Sequence, residues 1–470
     1  MAERTTVLFI TNAELSQASV NLAAAAALAT DEDFDVHIAS FEGLSPLTPA
    51  GVTFHALDGK SFKDIVQEKG FEFLPRHAPG VAGAIKSYKD TLPLLMAPWD
   101  SDDYFVIYDS CVSIIKELKP AVVALDFLFG PGADAVNTLK QRHVFMSPGV
   151  YKDHAVHMQP RLQFAWKYPV VSSGFRVPLA LSEILPNIYL IYNLIKISYF
   201  MPRVTDFIKA RNDRGIPGNL STKYNMFDFN LLYLTQGRPQ TDFALDFIPD
   251  NLIGCGPILP PFEPLEKADP ELAKWLVRRP TVIINMGSHV TYKGNQIGEV
   301  LSTIQEIVNR HPNIQILWKC PKPSKEEEQP TVDKDLFGDR IRILSWLPST
   351  PVACLTASKS ILAYVHHGGS NSFHEAIGAG VPQVVCPVWI DTYDFARRVE
   401  MIGVGVRGND NAAPYVKSDE FVTALERVVG NSAEADKFRE TAKRISEQVG
   451  WVDSGRKIAA QHIKEVALEA

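Results

Sequence analysis

The stretch Ala363-Tyr-Val-His-His-Gly-Gly-Ser-Asn-Ser-Phe-His-Glu-Ala-Ile-Gly-Ala-Gly-Val-Pro382 reads as an apolar strand, a glycine turn and the opening of a helix. The strand, Ile361–His366, runs into Gly368 and Gly369, and Ser370, Asn371 and Ser372 then supply helix-capping side chains. Glycine lets backbone approach a ligand closely. The free amides and positive dipole end of a helix start suit an anion such as a diphosphate. Taken alone, these residues also describe an ordinary strand–turn–helix junction. Three more narrow the reading. His367 at the strand tip offers a ring nitrogen to phosphate oxygen. Glu375, at the end of the first helical turn, is placed for two ribose hydroxyls. Trp346, in Ser345-Trp-Leu-Pro348 after the preceding strand, offers a flat face to a base.

Outward from this stretch, strands and helices alternate. Strands are expected at Val282–Asn285, Gln315–Trp318, Ile341–Ser345 and Gln383–Cys386, with helices at Gly298–Asn309 and Ser372–Ala379. The first half repeats the pattern with strands Val7–Ile10, Val36–Ala39, Thr53–Ala56, Val122–Leu125, His143–Met146 and Leu231–Leu234, and with helices such as Val20–Ala29 and Ser113–Leu118. Such alternation builds a parallel sheet covered on both faces. Between the halves, prolines 257, 260, 261 and 264 crowd a stretch that no regular element tolerates. The expectation is an α/β protein of two doubly wound, Rossmann-like domains facing across a cleft. Residues 1–250 form an acceptor-binding domain, 251–268 a Pro-rich linker and 269–450 a donor-binding domain. Residues 451–470 form a final helix that either closes the second domain or crosses back to the first.

The 470 residues are 46% hydrophobic and 21% charged, with a formal net charge of −7. That is the composition of a globular protein of two domains, without a basic footprint for nucleic acid. The apolar run Val7–Ile10 is too short for a signal sequence, and the polar C-terminus offers no anchor. Val177–Phe200 is rich in Leu, Ile and Tyr but carries Glu183, Asn187, Asn193, Lys196, Pro178 and Pro186. A spanning helix needs about 20 uninterrupted apolar residues. This segment therefore reads as buried helix or pocket wall, with contact to a membrane surface as the alternative. Cysteines 111, 255, 320, 354 and 386 are scattered and odd in number, which points to reduced thiols and a cytoplasmic location.

The central stretch resembles the donor signature of the UDP-glycosyltransferases of glycosyltransferase family 1, in the form seen in fungal members. The matching residues are Trp346-Leu347-Pro348, His367 through Gly369, Asn371 and Ser372 to Glu375, Gly380-Val381-Pro382, and Pro387 through Asp391 to Thr392. Met286-Gly287-Ser288 resembles the family's Gly-Ser turn, and Asn230–Thr235 followed by Gly254–Pro257 resembles the end of its first domain. The resemblance implies the GT-B fold, an inverting hexosyl transfer, and neither a metal nor a permanently bound cofactor. It implies a UDP-sugar co-substrate, with UDP-glucose expected, and a small-molecule acceptor. It also implies roles: Trp346 and Leu347 at the base, and Glu375 at the ribose. Ser288, His367, Gly369, Asn371 and Ser372 lie at the phosphates, and Ser370, Asp391 and Thr392 at the sugar. Ser370 and Thr392 stand where the family often has Trp and Gln.

Transfer to a hydroxyl needs a base beside it and a stabilised leaving group. In the family, a His after the first strand is the base and an Asp orients it. The Asp is matched by Asp126, at the end of Val122–Leu125. The His is not: Thr11-Asn-Ala-Glu14-Leu-Ser-Gln17 places Gln17 there, and Gln accepts no proton at neutral pH. Asp126, Gln17 and Glu14 are therefore the catalytic candidates. His154, His157 and Trp389 are acceptor-side candidates, and Trp99, Tyr104, Phe145, Tyr151 and Trp166 supply aromatic surface for a lipophilic aglycone. A protein that binds a UDP-sugar without turning it over, or a UDP-sugar epimerase of like architecture, remains the alternative. Oligomeric state is not readable.

Overall fold

A computed structural model describes residues 4–469 apart from 71, 73, 217, 219, 221–226, 293, 322–329, 332 and 333. The first sheet contains β1 (Thr5–Ile10), β2 (Phe34–Ser40), β3 (Val52–Ala56), β4 (Val122–Asp126), β5 (His143–Ser147), β6 (Tyr233–Thr235) and β7 (Leu252–Gly254). Their order is β3-β2-β1-β4-β5-β6-β7. The second sheet contains β8 (Thr281–Asn285), β9 (Gln315–Lys319), β10 (Ile341–Leu344), β11 (Ile361–His366), β12 (Gln383–Val385) and β13 (Gly405–Arg407). Their order is β10-β9-β8-β11-β12-β13. Every pairing is parallel. β4 and β8 are buried at every residue, as strands covered by helices on both faces must be.

Each sheet reverses its winding once, between β1 and β4 and between β8 and β11. Ligands of open α/β sheets bind beyond the carboxyl ends of the strands at that point. Register places Ile10 opposite Leu125 in the first sheet and Val365 opposite Ile284 in the second. The loops after Ile10 and Asp126 thus share one end of the first sheet, and those after Asn285 and His366 share one end of the second.

β7 takes Leu252–Gly254, so the connection begins after these residues rather than at residue 251. The helix expected at Val20–Ala29 starts earlier, at Leu15, directly behind the loop that carries Glu14. Val177–Phe200 becomes one helix, Leu181–Phe200, with Pro186 in its second turn. At the C-terminus, Gly450 adopts φ +96° and turns the chain from the helix Ala433–Val449 into Trp451–Leu468. That last helix crosses to the first domain, where Ala459, Ile463 and Ala467 join the apolar cluster of Ala18, Leu22 and Ala25.

A buried set of charges also joins the domains. Lys152 pairs with Asp394, and Arg398 Nε donates to Asp242 Oδ1 at 2.8 Å with both side chains fully enclosed. The Arg398 guanidinium lies 4.4 Å from the Phe243 ring centroid and 4.8 Å from that of Phe395.

Candidate active site

A cavity of about 590 Å³ lies between the two switch points and is lined from both domains. Its second-domain wall is built around β8, β9 and β11. Gly287 has φ +80°, and a Cβ there would stand 2.6 Å from the His367 ring, so the turn must be glycine for His367 to lie against it. Gly368 has φ +90°, with the carbonyl of Thr392 2.7 Å from where a Cβ would be. His367 is half-buried, and its enclosed Nδ1 has no hydrogen-bond partner among the described residues. Burial pushes its pKa down to about 3, so at neutral pH it is an uncharged ring facing the cavity with one N–H to give. Beside it the helix Ser370–Ala379 opens with its amides toward the same space.

Deeper in this wall, the Asn285 side-chain amide donates to Tyr364 Oη at 2.8 Å, and Tyr364 Oη lies 3.4 Å from Glu375 Oε2. The relay fixes the Glu375 carboxyl at the cavity edge. Burial raises that carboxyl to about 8, against the pull of Tyr364 and Lys319. Lys319, the last residue of β9, donates to Gly287 O at 2.8 Å and sits 3.7 Å from the Trp346 ring centroid. Burial lowers its ammonium to about 8. Trp346 itself is exposed at the rim. The sequence reading missed Lys319, Asn285 and Tyr364. A signal existed for Lys319, since a lone lysine ends the apolar run Gln315–Trp318 one strand from the switch point.

The first-domain wall carries Glu14, Gln17, Phe127, Leu128 and His154. Asn12 Oδ1 accepts from Glu14 N at 2.7 Å and so sets the start of the helix Leu15–Leu28. Burial raises the Glu14 carboxyl above its usual range. His289, from the loop after β8, brings its Nε2 to 4.0 Å from Glu14 Oε2 across the cleft. Gln17 Oε1 is buried without a partner among the described residues. His154 Nε2 pairs with Ser147 Oγ at 3.0 Å, and burial pushes the ring down to about 4, leaving it neutral. Beyond these groups the wall turns apolar, through Trp99, Phe164, Val170, Ile191 and Leu194.

Residues 326–461 match the family described as Erythromycin biosynthesis protein CIII-like, C-terminal domain, a span that includes every residue from Trp346 to Thr392. The glycosyltransferase sdnJ of Sordaria araneosa is 32% identical over 470 residues, covering 92% of this chain and 91% of its own. The chain belongs to the UDP-glycosyltransferases of glycosyltransferase family 1. It is similar also to UDP-glycosyltransferase stmC of Aspergillus ustus, 26% identical over 243 residues, which are 47% of this chain and 43% of that one. A UDP-glucosyltransferase from Polygonum tinctorium has a TM-score of 0.68 at 15% identity, covering 99% of both chains. UGT2 of Phytolacca americana has a TM-score of 0.64 at 16% identity, covering 100% of both. The fold of this glycosyltransferase is accordingly GT-B.

Within the transferase, the expected site residues do not all face the cavity. Ser288, Trp346, His367, Gly369, Ser370, Asn371, Ser372, Glu375, Trp389 and Asp391 line it. Ser370 Oγ, however, donates to Pro148 O, and Asn371 Nδ2 donates to Ser19 Oγ at 2.8 Å, so both side chains engage the first domain. Asp391 is raised to about 7 by burial and by the nearby Asp153. Four expectations are corrected by packing. Thr392 is fully buried, and its Oγ1 accepts from Val388 N at 3.1 Å and Trp389 N at 3.0 Å, closing the loop rather than facing a sugar. The Leu347 side chain belongs to the apolar core behind the site. His157 lies outside the cavity wall. Asp126 has no accessible surface and is also absent from that wall. Its carboxylate accepts from Thr11 Oγ1 at 3.1 Å, Asn12 N at 3.3 Å and Leu128 N at 2.9 Å, while burial raises its pKa to about 6. Of the five aromatics expected for an aglycone, only Trp99 lines the cavity. Tyr104 donates to Asp134 in the core, Phe145 stacks on Tyr233, Tyr151 is buried, and Trp166 is on the outside.

Proposed function

We propose that this transferase moves glucose, with inversion, from UDP-glucose to the hydroxyl of a lipophilic, aromatic small molecule. The observation that carries the reading is one cavity shared by both domains, polar and cradle-like on the second and, beyond Glu14, Gln17 and His154, apolar on the first. In this reading Trp346 stacks on uracil and the Glu375 carboxylate accepts from the ribose hydroxyls. The pyrophosphate rests on the helix start at Ser370–Ser372, with Ser288 and the His367 N–H beside it. Asp391 takes sugar hydroxyls. The acceptor oxygen attacks the anomeric carbon from the first-domain side as the bond from that carbon to the β-phosphate oxygen breaks. Its proton, donated to Glu14 before attack, passes to that carboxylate, and the Gln17 side-chain amide N–H donates to the acceptor oxygen and orients it. Asp126 acts at one remove: it holds Thr11 and the Asn12 amide, and Asn12 holds Glu14. Phytolacca americana UGT2, which shares the fold, is complexed with UDP-2fluoro-glucose and pterostilbene, ligands of the two classes proposed here.

The test pairs UDP-glucose, UDP-galactose, UDP-N-acetylglucosamine and TDP-glucose with stilbenes, anthraquinones, sterols and simple sugars, and reads product by mass and anomeric configuration by NMR. A β-glucoside of a phenolic acceptor is expected. UDP binding with no product from any pair, or a new UDP-sugar formed without acceptor, would remove the proposal in favour of a binding protein or an epimerase.

Nucleotide binding gives a separate prediction. Ribose hydroxyls donate only to the benefit of the ionised carboxyl, so UDP lowers the Glu375 pKa from its unliganded value of about 8. At neutral pH binding then releases protons, and affinity rises with pH until about 8. Calorimetry of UDP in two buffers of different ionisation heat should show buffer-dependent enthalpy for the wild type and nearly none for Glu375→Gln. Equal buffer dependence in both would place the titrating group elsewhere.

A further inference from the structure

We propose that the outer face of the helix Leu181–Phe200 lies on a lipid bilayer carrying anionic headgroups. Leu181, Leu185, Ile188, Tyr189, Tyr192, Ile195 and Phe200 are all exposed and follow one another at helical spacing along a single face. The exposures are high for such side chains, 90% at Leu181, 77% at Leu185 and 72% at Phe200. Leu162 and Trp166, from the segment packed on this helix, extend the apolar surface. A scattered exposed leucine needs no explanation, but a continuous row over a 20-residue helix does.

Charge identifies the occupant. The one acidic residue of the helix, Glu183, is turned back, its Oε2 accepting from Ala180 N at 2.8 Å. The exposed charged residue on the face is Lys196; Arg161 is exposed on the segment packed against the helix, and Arg176 is exposed at the helix start, where it lies 4.0 Å from Glu183. Lys89 is exposed on the helix Val81–Asp90, which packs alongside, while its neighbour Lys86 is paired with Asp90. Lys196, Lys89 and Arg161 are thus the charges around the apolar face without an ion-pair partner among the described residues, in a chain of net charge −7. Leucines and aromatics flanked by lysine and arginine are the pattern of a helix lying in the interfacial plane. No described helix is long and apolar enough to cross a membrane, so the contact is with the surface only.

The helix is held rigidly for such a task. Asn187, fully buried, accepts from Val170 N at 2.8 Å and donates to Tyr168 O at 3.1 Å. On the opposite side of the same helix, Ile191 and Leu194 line the cavity. One helix thus separates the lipid-facing surface from the apolar end of the site. If that end takes the acceptor, as proposed above, an acceptor dissolved in the bilayer reaches the cavity across one helix; the membrane contact itself does not depend on that reading.

Flotation of the full chain with phosphatidylcholine vesicles, with and without phosphatidylserine, tests the contact without any acceptor. Wild type is expected to float with the mixed vesicles, and less with phosphatidylcholine alone. Leu185→Glu/Tyr192→Glu should lower vesicle affinity by at least about tenfold. UDP calorimetry and Tm confirm that the variant is folded. Lys196→Glu, which disturbs no packing, should weaken binding to the mixed vesicles alone. A wild type that stays with the buffer in both cases would overturn the proposal. So would a dimer in light scattering that the double variant splits, since the face would then belong to a second copy of the chain.

Discussion

Glu14→Gln is expected to lower kcat by about 10²- to 10⁴-fold, the range that a positioned general base contributes, with UDP affinity unchanged. The expectation rests on elimination among three residues. Gln17 occupies the family's base position but cannot take a proton at neutral pH. Asp126 can, but it has no accessible surface and its oxygens are occupied by Thr11, Asn12 and Leu128. Glu14 lines the cavity, and burial has raised its pKa toward the range where a base is effective. A base must be ionised, so kcat/KM should fall as pH drops through this raised value, above the range of an ordinary glutamate. Asp126→Asn separates positioning from proton transfer. Asparagine keeps one accepting oxygen for the loop but presents an NH2 where an oxygen accepted. We expect a smaller loss in kcat, with the acidic limb of the pH profile kept. Glu14→Gln should abolish that limb. If instead Glu14→Gln left kcat intact and Asp126→Asn abolished it, the loop must rearrange to expose Asp126 when acceptor binds.

These two residues show what a sequence reveals and what it hides. The strand–turn–helix cradle was legible because its parts are local: strand, glycine turn and helix start occupy consecutive positions from Ile361 to Ala379, and backbone physics constrains each. The positions of most strands followed from apolar runs of four or more residues. β7 and β13, three residues each at sheet edges, are too short to show any period and escaped notice. Asp126 was correctly found at a strand end, but a sequence does not say whether such a carboxylate turns outward to a cavity or inward to backbone amides. Thr392 failed for the same reason, since its hydroxyl closes its own loop. Lys319 carried only a one-residue signal, and its partners Gly287, Trp346 and Glu375 come from three other elements. In Val177–Phe200 composition ruled out a spanning helix, but only packing reveals which residues face outward.

Least legible of all was the charge set between the domains, and from it comes the largest expected effect on stability. Arg398→Met should cost about 3–5 kcal/mol, the usual penalty for leaving a buried charge without its partner. Asp242 would lose the guanidinium at 2.8 Å while staying fully enclosed, keeping its bonds from Lys152 N at 3.0 Å and Phe243 N at 2.8 Å. Two cations, Lys152 and Arg398, now stand among four carboxyl groups, Asp153, Asp242, Asp391 and Asp394; the variant would leave one cation for the same four. Burial already raises Asp153 and Asp394 above the ordinary aspartate range, with Arg398 among the charges holding them down. Removing it raises them further. A carboxyl whose folded pKa exceeds its unfolded one gains stability as pH falls through the folded value, because the folded state binds the extra proton. The loss in Arg398→Met should therefore be larger at pH 8 than at pH 5, roughly following the proton uptake of the two aspartates. Urea unfolding at both pH values measures it directly. Arg398→Met/Asp242→Asn should recover part of the loss, since removing both charges leaves no isolated ion. An equal loss at the two pH values, with no recovery in the double variant, would assign the effect to lost packing of the guanidinium between Phe243 and Phe395 instead of to charge.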